Sequence, residues 1–253
     1  IADAFEAVVE HLIEGSDLVQ TSLRSYRLGS NLEHLAYTGT LGFVGSGNGL
    51  ANRITGGAGA DSLAGFTGKD TLVGGLGHDT LMGGQGADVL AGGSGVDTAS
   101  YRMALAAVRA DLTKVQTLSA AGEATGDSFS GIENLAGSAY ADQLWGNAGA
   151  NTLWGGAGAD LLRGRAGNDQ LYGGAGADRF IFATGDDLDV LRDFQNNGDT
   201  ICLSGLTGIT SVAKALARAD QVGAHVVFDF GAGDRLTVLN TTMAALRDDI
   251  SIL

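Results

Sequence analysis

The chain has 253 residues, a formal net charge of −14, 42 glycines, no proline and one cysteine. That much negative charge excludes a binder of nucleic-acid phosphates, and a single cysteine excludes an intramolecular disulfide. No apolar run approaches the ~20 residues of a transmembrane segment, and the amino end, IADAFEAVVEHLIEG, has neither an initiator Met nor a signal-peptide pattern.

Residues 1–46 read as leader strands stacking on the adjacent repeats. Gly15-Ser16-Asp17 resembles Gly95-Val96-Asp97, so residues 1–16 are expected to be the tail of an upstream repeat unit, with Ile1 inside or cut from a longer protein. Asn31-Leu32-Glu33-His34-Leu35-Ala36 parallels Gly131-Ile132-Glu133-Asn134-Leu135-Ala136. Each copy leads into a block of repeats, which predicts a duplicated leader-plus-roll.

The first block, 47–100, runs without a gap from Gly56 as GGAGADSLA, GFTGKDTLV, GGLGHDTLM, GGQGADVLA and GGSGVDTAS. The second, 137–185, reads GSAYADQLW, GNAGANTLW, GGAGADLLR, GRAGNDQLY and GGAGADRFI from Gly137. A nine-residue unit with one buried position makes no core alone, but stacked neighbours do. Positions seven to nine alternate outward, inward, outward, as in a three-residue strand. Position eight supplies the inward column: Leu63, Leu72, Leu81 and Leu90, then Leu144, Leu153, Leu162, Leu171 and Phe180. Positions one to six form the turn, where glycine permits close backbone approach.

With two units per coil, residues eighteen apart lie one strand spacing apart, about 4.8 Å. Asp61, Asp79 and Asp97 then stack on one edge, and Asp70 and Asp88 on the other. Stacked carboxylates repel unless a cation lies between them. Ca²⁺ takes six to eight oxygens at about 2.3–2.6 Å, from carboxylates and backbone carbonyls together. His11, His34, His78 and His225 are scattered and Cys202 stands alone, which argues against zinc or copper. One buried leucine per nine ordered residues returns too little to offset backbone entropy, so the roll is expected to be unfolded without calcium.

These nonapeptides resemble the calcium-binding repeat of RTX (hemolysin-type) proteins, a documented repeat signature. The resemblance implies an all-β fold: a parallel β-roll, a right-handed solenoid in two blocks, with a β-rich C-terminal cap. It also implies several bound Ca²⁺ ions, export by the type I secretion machinery and an extracellular destination. In the family's scheme an ion takes the carbonyls of positions two and four and residue six of one loop. The loop eighteen residues on adds carbonyls one and three and its own residue six. On this chain the first such set is Asn48, Leu50 and Asn52 with Gly65, Thr67 and Asp70. Gly57, Gly59 and Asp61 join Gly74, Leu76 and Asp79 on the other edge. Phe66, Gly68 and Asp70 meet Gly83, Gln85 and Asp88, while Gly75, Gly77 and Asp79 meet Gly92, Ser94 and Asp97. In the second block Ser138, Tyr140 and Asp142 join Gly155, Ala157 and Asp160, and Asn147, Gly149 and Asn151 join Gly164, Ala166 and Asp169. Gly156, Gly158 and Asp160 meet Gly173, Ala175 and Asp178. Arg165, Gly167 and Asp169 meet Phe182, Thr184 and Asp187, which closes a last site.

Some positions depart from that pattern. Asn52 and Asn151 bring no charge, so their sites are expected to be weaker. Phe66 and Arg165 replace glycine at position two, and Lys69 sets a positive charge beside one loop.

Between the blocks, within 101–136, Tyr101–Leu112 reads as a strand-forming excursion and Thr117–Asp127 as a solvated turn; Glu123 and Asp127 as a catalytic pair is the alternative. Trp154 and Tyr172, at position nine, stack one coil apart. They are either covered by leader or carboxy-terminal chain, or form a sugar-stacking platform. In 186–253, Asp189, Asp193, Phe194, Gly198, Asp199, Ile201 and Leu203 resemble the RTX cap. Ser211–Ala219 has helical spacing, and His225–Phe230 with Arg235–Leu239 flank a hairpin turn. The acid-bearing end Leu246–Leu253 fits a type I secretion signal or an ordinary final strand.

Gly68-Lys69-Asp70 fails as a phosphate loop, and neither G-x-S-x-G nor H-E-x-x-H occurs. Nothing in the sequence argues for catalysis. The leading expectation is a calcium-binding module supporting secretion of a larger protein. The alternatives are an adhesin or surface-layer segment at a cell surface, and a polysaccharide-binding accessory module similar to those of mannuronan epimerases.

Overall fold

The computed structural model describes residues 15–113 and 123–253. The expectations for residues 1–14, and for most of the turn placed at Thr117–Asp127, fall outside the described residues. The chain divides into two compact units: residues 15–100 with 123–132, and residues 101–113 with 133–253.

In the first unit the period of nine folds as a two-sided coil. One parallel sheet takes its strands in the order Leu18–Thr21, His34–Tyr37, Arg53–Thr55, Thr71–Leu76, Val89–Ser94 and Ser128–Ser130. The other takes Ser25–Arg27, Val44–Ser46, Ser62–Thr67, Thr80–Gln85 and Thr98–Ser100. Register follows the eighteen-residue step, with Leu63 opposite Leu81 and Leu72 opposite Leu90. The leader joins the same ladder with one residue to spare: Leu35 pairs with Ile54, nineteen residues on. Between the sheets lies a core one side chain thick. Ile54, Leu63, Leu72, Leu81, Leu90 and Ala99 are each 0% exposed.

The second unit repeats the arrangement. One face stacks Asn134–Ala136, Thr152–Ala157, Gln170–Ala175 and Leu188–Leu191. The other stacks Arg109–Asp111, Gln143–Trp145, Leu161–Arg163, Arg179–Ala183, Thr200–Ser204 and Ile250–Ile252. Leu144, Leu153, Leu162, Leu171 and Phe180 form the buried column, as the spacing predicts. Among the described residues, antiparallel pairing appears only at the carboxy-terminal end, where His225–Gly231 turns back on Asp234–Val238 and also pairs with Ala219–Val222. The hairpin is the expected one. The helix is shorter than its apolar spacing suggested, Val212–Leu216, capped by the Ser211 hydroxyl, which accepts from the Lys214 N–H.

Strand length differs from expectation in a way that bears on the site. Several strands span six residues rather than three, continuing through positions one to three of the following loop. The ladder turns the corner because glycines such as Gly77, at φ +119°, adopt a backbone closed to other residues. The Leu76 N–H donates to the Gly57 carbonyl at 2.9 Å, and the Gly77 N–H to that of Ser94 at 2.9 Å.

Candidate metal centre

Position six sits where the chain leaves the loop for the strand, so its side chain folds inward under the corner. Every aspartate of the columns is buried there: Asp61, Asp70, Asp79, Asp88, Asp97, Asp142, Asp160, Asp169 and Asp178 are at most 3% exposed. One carboxylate oxygen holds the stack together. Asp79 Oδ1 accepts from the Asp61 N–H at 2.8 Å, Asp88 Oδ1 from Asp70, and Asp97 Oδ1 from Asp79. The same link joins Asp160 to the Asp142 N–H and Asp178 to that of Asp160.

The second oxygen is the informative one. Oδ2 of Asp70, Asp79, Asp88, Asp160, Asp169, Asp178 and Asp189 is buried with no hydrogen-bond partner among the described residues. An unsatisfied buried carboxylate oxygen is costly, and seven in register require a common explanation. The space around them is defined by the position-one glycines. A Cβ on Gly74 would lie 2.2 Å from Asp79 Oδ2 and 2.6 Å from the Gly92 carbonyl oxygen. A Cβ on Gly155 would lie 2.3 Å from Asp160 Oδ2 and 2.5 Å from the Gly173 carbonyl oxygen. Carboxylate and carbonyl oxygens therefore converge over bare glycine Cα atoms.

Burial raises the proton affinity of these carboxyls. It pushes Asp70, Asp79 and Asp178 up to about 6, Asp88, Asp160 and Asp169 to about 7, and Asp189 to about 9. For all but Asp70, neighbouring carboxylates push in the same direction. A cation relieves both penalties. The donors are hard oxygens throughout, and among the described residues no group of three or more His, Cys, Asp or Glu converges. A site here has to combine paired carboxylates with carbonyls, a donor set that suits calcium. The ladder leaves those carbonyls usable, since an oxygen accepting one hydrogen bond keeps a second lone pair. Gly57 and Ser138 at position two, and Gln85, Ser94 and Ala175 at position three, each accept one backbone N–H.

The blocks match a known repeat. The family described as the RTX calcium-binding nonapeptide repeat (4 copies) matches residues 46–81, 65–99, 127–162 and 154–189. These blocks are RTX repeats. A search of curated proteins finds no match. Among solved structures, the extracellular lipase LipA from Serratia marcescens aligns at 19% identity over 84% of this chain and 40% of its own, with a TM-score of 0.32. This chain spans well under half of the lipase's length. The RTX roll is a structural calcium-binding module rather than a catalytic one.

The structure extends the RTX columns beyond the residues that sequence spacing picked out. Asp127, which by sequence belongs to a solvated turn or an acid pair with Glu123, is 0% exposed and accepts from the Asp88 N–H at 2.8 Å. It is the next member of the Asp70–Asp88 column. The signal was present: Gly122-Glu123-Ala124-Thr125-Gly126-Asp127-Ser128-Phe129-Ser130 is a degenerate nonapeptide with Gly, Asp and Phe at positions one, six and eight. Similarly, Asp189 rather than Asp187 takes the place above Asp169, accepting from its N–H at 3.0 Å, while Asp187 accepts from Gly167. A two-residue insertion shifts the register to Gln170 opposite Val190. Asp199 continues the other column, accepting from the Asp178 N–H at 3.0 Å.

Phe66 and Arg165 do take the left-handed backbone that glycine would have supplied, at φ 80° and 75°. Each has a local compensation. The Arg27 guanidinium lies 5.1 Å from the Phe66 ring centre. Arg165 grips Asp111 through both carboxylate oxygens at 2.7 and 2.9 Å. Burial of Asp111 opposes ionisation, but the bonds from Arg165 and Thr113 outweigh it and bring the carboxyl down to about 2. The aromatic pair is also engaged. Trp154 and Tyr172 stack with centres 6.0 Å apart, and Arg102 and Arg192 each lie 5.9 Å from one ring. Both rings line a groove of about 310 Å³ with Ser138 and Asp193. Arg192 and Asp193 come from the carboxy-terminal segment expected to cover the pair, and Arg102 from the stretch between the blocks.

Proposed function

We propose that this chain is a calcium-folded module of a secreted protein, carrying ions between successive aspartates of each column. The observation that supports it is the row of buried Oδ2 atoms in Asp70, Asp79, Asp88, Asp160, Asp169 and Asp178, which have no partner among the described residues. Bound calcium supplies the positive charge that lets these carboxylates stay ionised at close quarters. The ligands are the position-six aspartates with the loop carbonyls of the RTX scheme, extended to Asp127, Asp189 and Asp199. Where calcium is scarce, as inside a cell, the acidic chain stays extended and passes a type I export channel unfolded. Where calcium is plentiful it folds. Among the described residues no helix is long and apolar enough to cross a membrane.

Two measurements test this. Circular dichroism of the chain in excess chelator and in millimolar calcium should show β structure only in the latter; an unchanged spectrum sinks the calcium half. Residues 186–253 fused to a passenger should direct type I-dependent export. Retention of the passenger in cells with a working exporter sinks the secretion half.

A further inference from the structure

The tiers that open the columns differ from the tiers inside them. In the interior, Oδ2 of Asp70, Asp79, Asp88, Asp160, Asp169 and Asp178 has no partner among the described residues. At the opening positions it has one: Asp61 Oδ2 accepts from the Gly57 N–H, and Asp142 Oδ2 from the Ser138 N–H. On the other edge of each roll the opening residue is not an aspartate at all. Asn52 Oδ1 accepts from the Asn48 N–H at 2.8 Å, and Asn151 Oδ1 from the Asn147 N–H at 2.8 Å.

The nitrogens of these amides face the preceding coil. Strand register sets His34 opposite Arg53 and Asn134 opposite Thr152, so Glu33 and Glu133 hold position six beneath Asn52 and Asn151. Inside the columns an aspartate oxygen accepts from the N–H of the residue below it. Here the link is reversed. Asn52 Nδ2 donates to the Glu33 carbonyl at 3.3 Å and to that of Leu32 at 3.1 Å, and Asn151 Nδ2 donates to the Glu133 carbonyl at 2.7 Å.

Two further donors take carbonyls that would otherwise face an ion in the same gap. Four residues before Glu33, Gly29 stands at position two of the leader loop, and Asn48 Nδ2 donates to its carbonyl at 2.8 Å. The same nitrogen donates to Leu32 at 2.7 Å. In the second roll the Arg165 guanidinium donates to the position-one carbonyl of Gly146 at 2.6 Å while paired with Asp111.

We infer that Asn48 with Asn52, and Asn151 with Arg165, close the gap between leader and roll on one edge with N–H donors in place of calcium. An amide suits this place for a physical reason. An ion there would meet a glutamate on one side and only a neutral amide, nitrogen foremost, on the other. The Glu33 carboxylate is moreover engaged by the Asp17 N–H at 3.0 Å. An NH₂ group satisfies the carbonyls and leaves no charge to balance. Each roll thus begins on a tier that forms without metal, against which the ion-bearing tiers stack. The asparagines are positioning residues that start the column.

This rests on the calcium module proposed for the rolls, and the test separates the two. Bound calcium per chain is counted by equilibrium dialysis, and the calcium midpoint of folding is read by circular dichroism, for the full chain and for Asn52→Asp/Asn151→Asp. The substitution keeps the shape and removes both donors. A donor role predicts either additional bound ions or an unchanged count with a raised midpoint. A lowered or unchanged midpoint at constant count marks the asparagines as calcium ligands and, like a lower count, overturns the inference while leaving the module intact. An unaltered chain that retains no calcium overturns both. Should the double variant fail to fold, Asn48→Asp decides. It keeps the oxygen that accepts from the Leu50 N–H at 2.8 Å and loses only the donors to Gly29 and Leu32. A raised midpoint is expected, and an unchanged or lowered one overturns the inference.

Discussion

Asp79→Asn separates a metal-held column from one held by its backbone ladder. Asp79 belongs to two of the proposed ligand sets, one with Asp61 and one with Asp97, whereas Asp61 belongs to one. Each ion at a hundredfold its dissociation constant contributes ~2.7 kcal/mol. Asp79→Asn therefore removes up to about 5 kcal/mol in saturating calcium, and Asp61→Asn about half of that. The substitution preserves shape, and an asparagine Oδ1 still accepts from the Asp61 N–H now held at 2.8 Å. What disappears is charge, in a place where burial and neighbouring carboxylates already push the acid up to about 6. The sign must then reverse with the medium. In saturating calcium the variant unfolds at lower urea than the unaltered chain. In chelator its residual β signal equals or exceeds that of the unaltered chain, because a repelling charge has gone. Urea titrations followed by circular dichroism in both media provide the assay. Equal destabilisation in both, or a larger effect from Asp61→Asn than from Asp79→Asn, would refute the reasoning.

The raised carboxyls also predict a pH dependence of opposite sign with and without metal. In the metal-free roll their contribution is complete below the ordinary 3.8 and is lost as pH rises through about 6 to 7, and for Asp189 through about 9. Acidifying the chelated chain from about pH 8 to about pH 5 should therefore increase β structure. In calcium the same acidification should raise the calcium midpoint, because protons compete for the ligands; a β signal that falls in chelator over that range contradicts this. Leu81→Ala, at a position 0% exposed, should cost about 2–5 kcal/mol in calcium by urea unfolding. Gly74→Ala drives a methyl to 2.2 Å from Asp79 Oδ2, so its calcium midpoint should rise sharply, whereas Gly223→Ala, with nothing within 4 Å, bears only backbone strain. Similar midpoints for the two would remove the glycine cradle as a determinant of binding.

The period of nine was enough to specify the coil. A single inward residue per unit fixes which face is buried, and the step of eighteen fixes register. Leu63, Leu81, Leu144 and Leu162 lie where counting puts them. Counting also placed the position-six aspartates one above another, because a solenoid converts sequence separation directly into height. It failed where that conversion is interrupted. Asp127 follows Asp88 by 39 residues because an excursion intervenes, and Asp189 displaces Asp187 because two residues are inserted. One extra residue in the leader likewise puts Glu33, not His34, beneath Asn52. Nor does a sequence say which way an amide turns. Asn52 and Asn151 read as ligands by position; only the folded chain sets their nitrogens against the carbonyls of the coil before. Periodicity carries what repeats, while breaks and ends are decided by the neighbours that three dimensions bring together.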